Sequence, residues 1–161
     1  MTIVPGTPRW AVVAACAVPA CVLPSAVWRV TLLPTGSGSA DRYLVTLSAV
    51  SMLLALLTLG LVQPWGERLP GGRPVPRAAA TGVAVAGASA LLLIEFYLVL
   101  NAVFGFVERG PVLIGADQPP MPPPGPAVGL LYLPLLAWAP LVLAVAAAYH
   151  RRRTRAAASL R

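Results

Sequence analysis

The 161-residue chain is predicted to be an all-α, polytopic membrane protein, a bundle of four transmembrane helices with both termini on the cytoplasmic side. Three observations lead there. Hydrophobic residues make up 58% of the chain and charged residues only 11%, with a mean hydropathy of +0.78. The apolar residues fall into four long runs. The arginines collect between and beyond those runs, unequally on the two sides. A soluble domain carries about 25% charged residues to solvate its surface. Twelve basic and five acidic side chains cannot solvate a globule of this size, and the ample apolar surface equally excludes disorder.

A bilayer core about 30 Å thick needs roughly 20 apolar residues in a helix rising about 1.5 Å per residue. The first run covers residues 10–33 and is interrupted by Pro19, Pro24 and Arg29. The second, 43–62, has no charge and stops at Gln63-Pro64. The third, 78–107, holds one charge, Glu95, and the fourth, 128–149, ends at His150 and a run of arginines. The whole chain, 1–161, reads as a single membrane domain. A Pro-rich outer loop at 108–126 and a basic cytoplasmic tail at 150–161 complete it.

Orientation follows from the arginines, because basic residues stay on the cytoplasmic side. With both termini inside, that side holds Arg9, Arg68, Arg73 and Arg77, together with Arg151, Arg152, Arg153, Arg155 and Arg161. The outer side holds Arg29, Arg42 and Arg109, offset by Asp41, Glu108 and Asp117. The net charge of +7 and pI near 10.8 therefore express topology and attraction to anionic lipid. They do not indicate nucleic acid. Val13-Ala14-Ala15-Cys16 has the look of a lipoprotein cleavage box. However, five residues between Trp10 and Cys16 are too few for a signal hydrophobic region of about 7–15. The first run is expected to be retained as a span.

The connections differ in kind. Residues 34–42 form a short Gly/Ser-rich outer loop, and residues 63–77 a Pro-rich inner loop with Gly71-Gly72. The run from Pro119 to Pro124 favours extended polyproline II and reads as a stiff spacer.

The segment Leu57-Thr58-Leu59-Gly60-Leu61-Val62-Gln63-Pro64-Trp65-Gly66-Glu67, followed by Pro70 and Gly72-Arg73-Pro74-Val75-Pro76, resembles a family of small actinobacterial integral membrane proteins. Leu23-Pro24-Ser25-Ala26-Val27-Trp28-Arg29 carries the same likeness. The resemblance implies four spans and a Trp-Gly-Glu cytoplasmic turn, in a bacterial plasma membrane. It adds no chemistry. Where the family pattern often has an aromatic residue after Pro70, this chain has Gly71-Gly72.

Glu95 is the residue with the most to say about chemistry. An ionised carboxylate at membrane depth is expensive and is usually protonated, paired or set beside a wet cavity. Eighteen residues after Arg77, it lies in the outer half, at the depth of Arg29. A Glu95–Arg29 pair between the first and third spans is the expectation. Asn101 and Tyr97 complete the candidate intramembrane polar site, although helical spacing rotates them about 120° and 160° from Glu95. Asn101 reads as interhelical glue and Tyr97 as a packing residue. Gly82, Ala86 and Ala90 repeat small residues every four positions and read as a helix-packing seam.

Trp65, Gly66, Glu67 and Arg68 form a candidate cytoplasmic interaction turn. Pro64 ends the second helix, Gly66 allows the reversal and Trp65 sits at the headgroups. Cys16 and Cys21 are five apart and match neither a redox motif nor a metal site, so they read as packing residues. Pro19 and Pro24, and Pro134 and Pro140, read as kinks. His150 is the only histidine. With no nucleophile–base spacing and no phosphate-cradling loop, no catalytic, cofactor-binding or metal residue is assigned, and the chain is expected not to be an enzyme. The expected role is a non-enzymatic accessory or structural membrane component. Its expected contacts are the bilayer, anionic lipid at the basic tail, and a membrane-protein partner or a second copy. The alternative is a small oligomeric transporter or proton-coupled carrier that uses Glu95.

Overall fold

The computed structural model describes residues 3–31, 38–68, 73, 75–107 and 126–158. Among the described residues five α-helices follow one another: α1 (Arg9–Thr31), α2 (Gly38–Leu57), α3 (Arg77–Phe104), α4 (Pro126–Tyr132) and α5 (Trp138–Ala158). Short 3₁₀ turns occupy Thr58–Leu61, Pro64–Glu67 and Leu133–Ala137. Four helical segments are long and apolar enough to cross a membrane, the fourth made of α4, its 3₁₀ turn and α5. The chain is an all-α, multi-pass membrane bundle.

Boundaries differ from expectation in three places. The second helix begins at Gly38, so the end of the Gly/Ser-rich segment belongs to α2 and not to the loop before it. The fourth helix does not stop at Tyr149 but continues to Ala158, taking most of the basic tail with it. The fourth span is also broken midway. Pro134 has no N–H for the Leu130 carbonyl and Pro140 none for that of Leu136, so the chain between them falls into 3₁₀ geometry. Pro19 and Pro24, in contrast, lie within α1 without ending it. Residues 108–125, with the polyproline run, and the Gly71-Gly72 pair lie outside the described residues.

The packing order is α2, α1, α5, α3: α1 touches α2 and α5, and α5 touches α1 and α3. On α1 the buried residues Ala11, Ala15, Val18, Val22, Ser25 and Arg29 alternate spacings of four and three. On α5 Trp138, Val142, Val145 and Tyr149 do the same. That seven-residue rhythm is the pattern of a helix-packing seam. Ala14, Ala15, Leu61, Val62, Val145 and Tyr149 close the end of the core nearer the termini. Val18, Val22, Ala55, Ala88, Trp138 and Val142 fill the middle. The third span is the least integrated, since of its 28 residues only Ala88 and Glu95 are buried.

Candidate functional site

The most organised polar cluster lies at the end of the bundle that carries both termini. Its centre is Glu67, the last residue of the 3₁₀ turn Pro64–Glu67. Arg152 Nη2 meets Glu67 Oε1 at 2.5 Å and Arg153 Nη1 lies 3.7 Å from Oε2. Arg152 also donates to the Thr7 hydroxyl and, at 3.5 Å, to the Leu61 carbonyl. Arg153 donates to the Val75 carbonyl at 3.1 Å, while the Val75 N–H donates to the Glu67 carbonyl at 2.9 Å. Both guanidinium groups stand over the Tyr149 ring, at 5.4 and 5.8 Å, within cation–π range. The Val4 N–H bonded to the Val62 carbonyl at 3.1 Å ties in the N-terminal segment. One carboxylate and two arginines thus clasp four separate pieces of chain.

Sequence reading assigned Arg152 and Arg153 to topology and lipid. The structure instead turns them inward, while Arg151 and Arg155, four apart on the helix, stay exposed. The signal was present in the register. Tyr149 to Arg152 is the next step of the buried rhythm on α5, and Glu67 is the carboxylate of the loop between the second and third spans.

The turn itself depends on two glycines. A Cβ on Gly66 would lie 2.1 Å from the Gly60 carbonyl oxygen, and one on Gly60 would meet the Trp65 ring at 3.0 Å. The chain reverses by laying Gly66 directly against Gly60, with the indole of Trp65 over it. Trp65 is half exposed and its Nε1–H donates to Gln63 Oε1 at 2.7 Å. Arg68 is exposed, and its guanidinium bonds no acceptor among the described residues.

The four members of the intramembrane polar site are not brought together. Glu95 is 7% exposed and Arg29 also 7%, yet they form no ion pair among those found in the described residues. Arg29 donates to the Ser25 hydroxyl at 3.3 Å and stands 5.8 Å from the Tyr132 ring. Its Nη1 is buried without a hydrogen bond. Glu95 lies against α5 near Ala139, and its Oε1 is buried without a hydrogen bond among the described residues. The reason is positional: α5 lies between α1 and α3. Along the fourth span, Ala139 is seven residues inward from Tyr132, about 10 Å at helical rise.

Asn101 is not interhelical glue. Its Oδ1 accepts from the Val107 N–H at 2.8 Å, closing the end of α3 beside Gly105, which adopts a left-handed φ of 63°. Tyr97 is exposed on the lipid side. The small residues that pack inside the chain are Ala80, Ala84 and Ala88. Gly82 and Ala86 face away, and a Cβ on Gly82 would meet nothing within 4 Å.

Between α2 and α3 runs a groove of about 1180 Å³, floored by Trp138 and Val142 of α5. Leu54 and Leu57 form one wall, Val83 and Gly87 the other, and Trp65 and Arg68 stand at the end nearer the termini. Sequence reading missed it, because lipid and protein interior are equally apolar and the pattern does not mark which face meets which.

No protein-family model, no curated protein and no solved structure matches this chain.

Proposed function

We propose that the chain is a non-enzymatic accessory or structural component of a bacterial plasma membrane, assembling laterally with another membrane protein or a second copy through α3. The third span supports this reading. It carries 28 residues and buries two of them within the chain, and Gly82 and Ala86 leave a shallow outer face on which another helix backbone approaches closely. The organised charges, Glu67 with Arg152 and Arg153, hold helices together. Exposed Arg151 and Arg155 then meet anionic headgroups, and the likeness to small actinobacterial four-span proteins agrees with such a membrane. The test is crosslinking in native membranes from a single cysteine at Ala86, after Cys16→Ala and Cys21→Ala. A discrete larger species is expected from position 86 and not from Cys16 alone. Monomer at both positions would end the proposal.

One observation favours a second reading, a proton-coupled carrier. Glu95 is buried against the N-terminal turn of α5, immediately after the break in the fourth span, with one carboxyl oxygen unpartnered. Broken helices that meet an ionisable side chain recur where ions bind in the membrane. Glu95→Gln separates the readings. Loss of a proton-linked flux in vesicles with assembly intact supports the carrier, and loosened assembly without any flux to lose supports the accessory role.

A further inference from the structure

We propose that the α2–α3 groove is a binding site for one anionic phospholipid of the cytoplasmic leaflet, its acyl chains along the groove and its phosphate at Arg68. This goes beyond attraction of lipid to the basic tail, which lies on another helix. Three features carry it.

The first is amphipathic layout. The walls are apolar from Val83 to Ile94 on α3 and from Leu54 to Leu57 on α2, and the charged lining residue, Arg68, stands at one end. Trp65 stands there too, half exposed, as aromatic rings do at headgroup level. An anionic headgroup attached to hydrocarbon has the same order of charge and apolar surface.

The second is the state of Arg68. The neighbouring arginines Arg152 and Arg153 are consumed by Glu67. Arg68 is one residue further along the turn and engages no acceptor among the described residues. Its planar fork suits a phosphate. α3 begins beside it at Arg77, with no side-chain cap on its N-terminus, which adds positive potential at the same mouth.

The third is length. The α3 wall from Ala79 to Ile94 rises about 22 Å at 1.5 Å per residue. One leaflet of a core about 30 Å thick is about 15 Å. An acyl chain that starts at Arg68 therefore lies within the groove for its whole length. The groove is open along its side, since Leu54, Leu57 and Val83 on its walls are exposed, so hydrocarbon has access to it.

The test uses the full chain in mild detergent, titrated with dioleoylphosphatidylglycerol or dioleoylphosphatidylcholine and read by native mass spectrometry. The wild type should keep one phosphatidylglycerol per chain at collision energies that strip phosphatidylcholine. Arg68→Gln should lower that retention at least about fivefold, towards the phosphatidylcholine level, as expected for a lost charged hydrogen bond. Gly87→Leu should remove retention of both lipids. An added Cβ at Gly87 meets nothing within 4 Å, and replacing a helical glycine favours the helix, so this variant folds. Arg151→Gln, which removes an exposed arginine that does not line the groove, should change nothing. Equal retention of both lipids would overturn the proposal. So would a wild-type dimer without lipid that Gly87→Leu converts to monomer, since the groove would then hold a second copy. Equal loss on Arg151→Gln and Arg68→Gln would reduce the effect to bulk charge and overturn it as well.

Discussion

Replacing Glu67 by Gln removes the charge at the centre of the clasp while keeping its size. Arg152 would keep the Thr7 hydroxyl, the Leu61 carbonyl and the Tyr149 ring, and lose its anion. The magnitude follows from burial. The Arg152 side chain is 10% exposed and that of Glu67 23%, between a buried pair, where removing one partner costs about 3–5 kcal/mol, and a surface pair worth about 0–1 kcal/mol. A loss of about 2 kcal/mol is expected. For a chain of this size that lowers the melting temperature by about 4–8 °C. The assay is tryptophan emission during a thermal ramp of detergent-solubilised protein, which reports on Trp138 in the core and Trp65 on the turn. Arg151→Gln is the control, on an exposed neighbour, and should stay within about 0.5 kcal/mol. Glu67→Gln combined with Arg152→Gln should recover part of the loss, because no unpaired guanidinium then remains. If Glu67→Gln and Arg151→Gln shift melting equally, the clasp contributes nothing to holding the four chain segments.

Gly66→Ala should prevent the reversal at Pro64–Glu67, since the new methyl group would overlap the Gly60 carbonyl; monodisperse, wild-type-like protein by size-exclusion chromatography would contradict the close approach. Arg29→Gln and Glu95→Gln should have additive effects on thermal stability within about 0.5 kcal/mol, because the two side chains do not touch; recovery in the double variant would restore the pairing expected from depth alone. Reporter fusions after Arg73 and Arg155 should read cytoplasmic and one near Gln118 external, and a cytoplasmic signal at Gln118 would reverse the orientation drawn from the arginines.

The four spans were legible because lipid forces backbone polar groups into helices of about 20 residues and leaves charges at their ends. Glu95 and Arg29 show where such reading stops. Depth follows from counting residues from the interface, and both lie near the outer half as counted. Which helix lies between them does not follow from counting. An apolar face reads the same whether it meets α5 or lipid, so the position of α5 between α1 and α3 left no mark on α3.

The break in the fourth span and the clasp at its inner end are more instructive, since both had a signal. Pro134 and Pro140 are six apart, so the hydrogen bonds they remove bracket one turn of chain, and that turn is the 3₁₀ segment at Leu133–Ala137. The prolines leave the Leu130 and Leu136 carbonyls without their usual helical donors, and Glu95 of α3 is buried close to this stretch, its Oε1 without a hydrogen bond among the described residues. At the other end, the buried register Trp138, Val142, Val145, Tyr149 continues to Arg152, so helix geometry alone directs that arginine into the bundle, towards Glu67 in the loop between the second and third spans. The arginine run is therefore not uniform. Residues 152 and 153 fix the turn to the bundle, while 151 and 155 stay exposed. Arg68, the residue after Glu67, lines the end of the α2–α3 groove, and its guanidinium makes no hydrogen bond among the described residues.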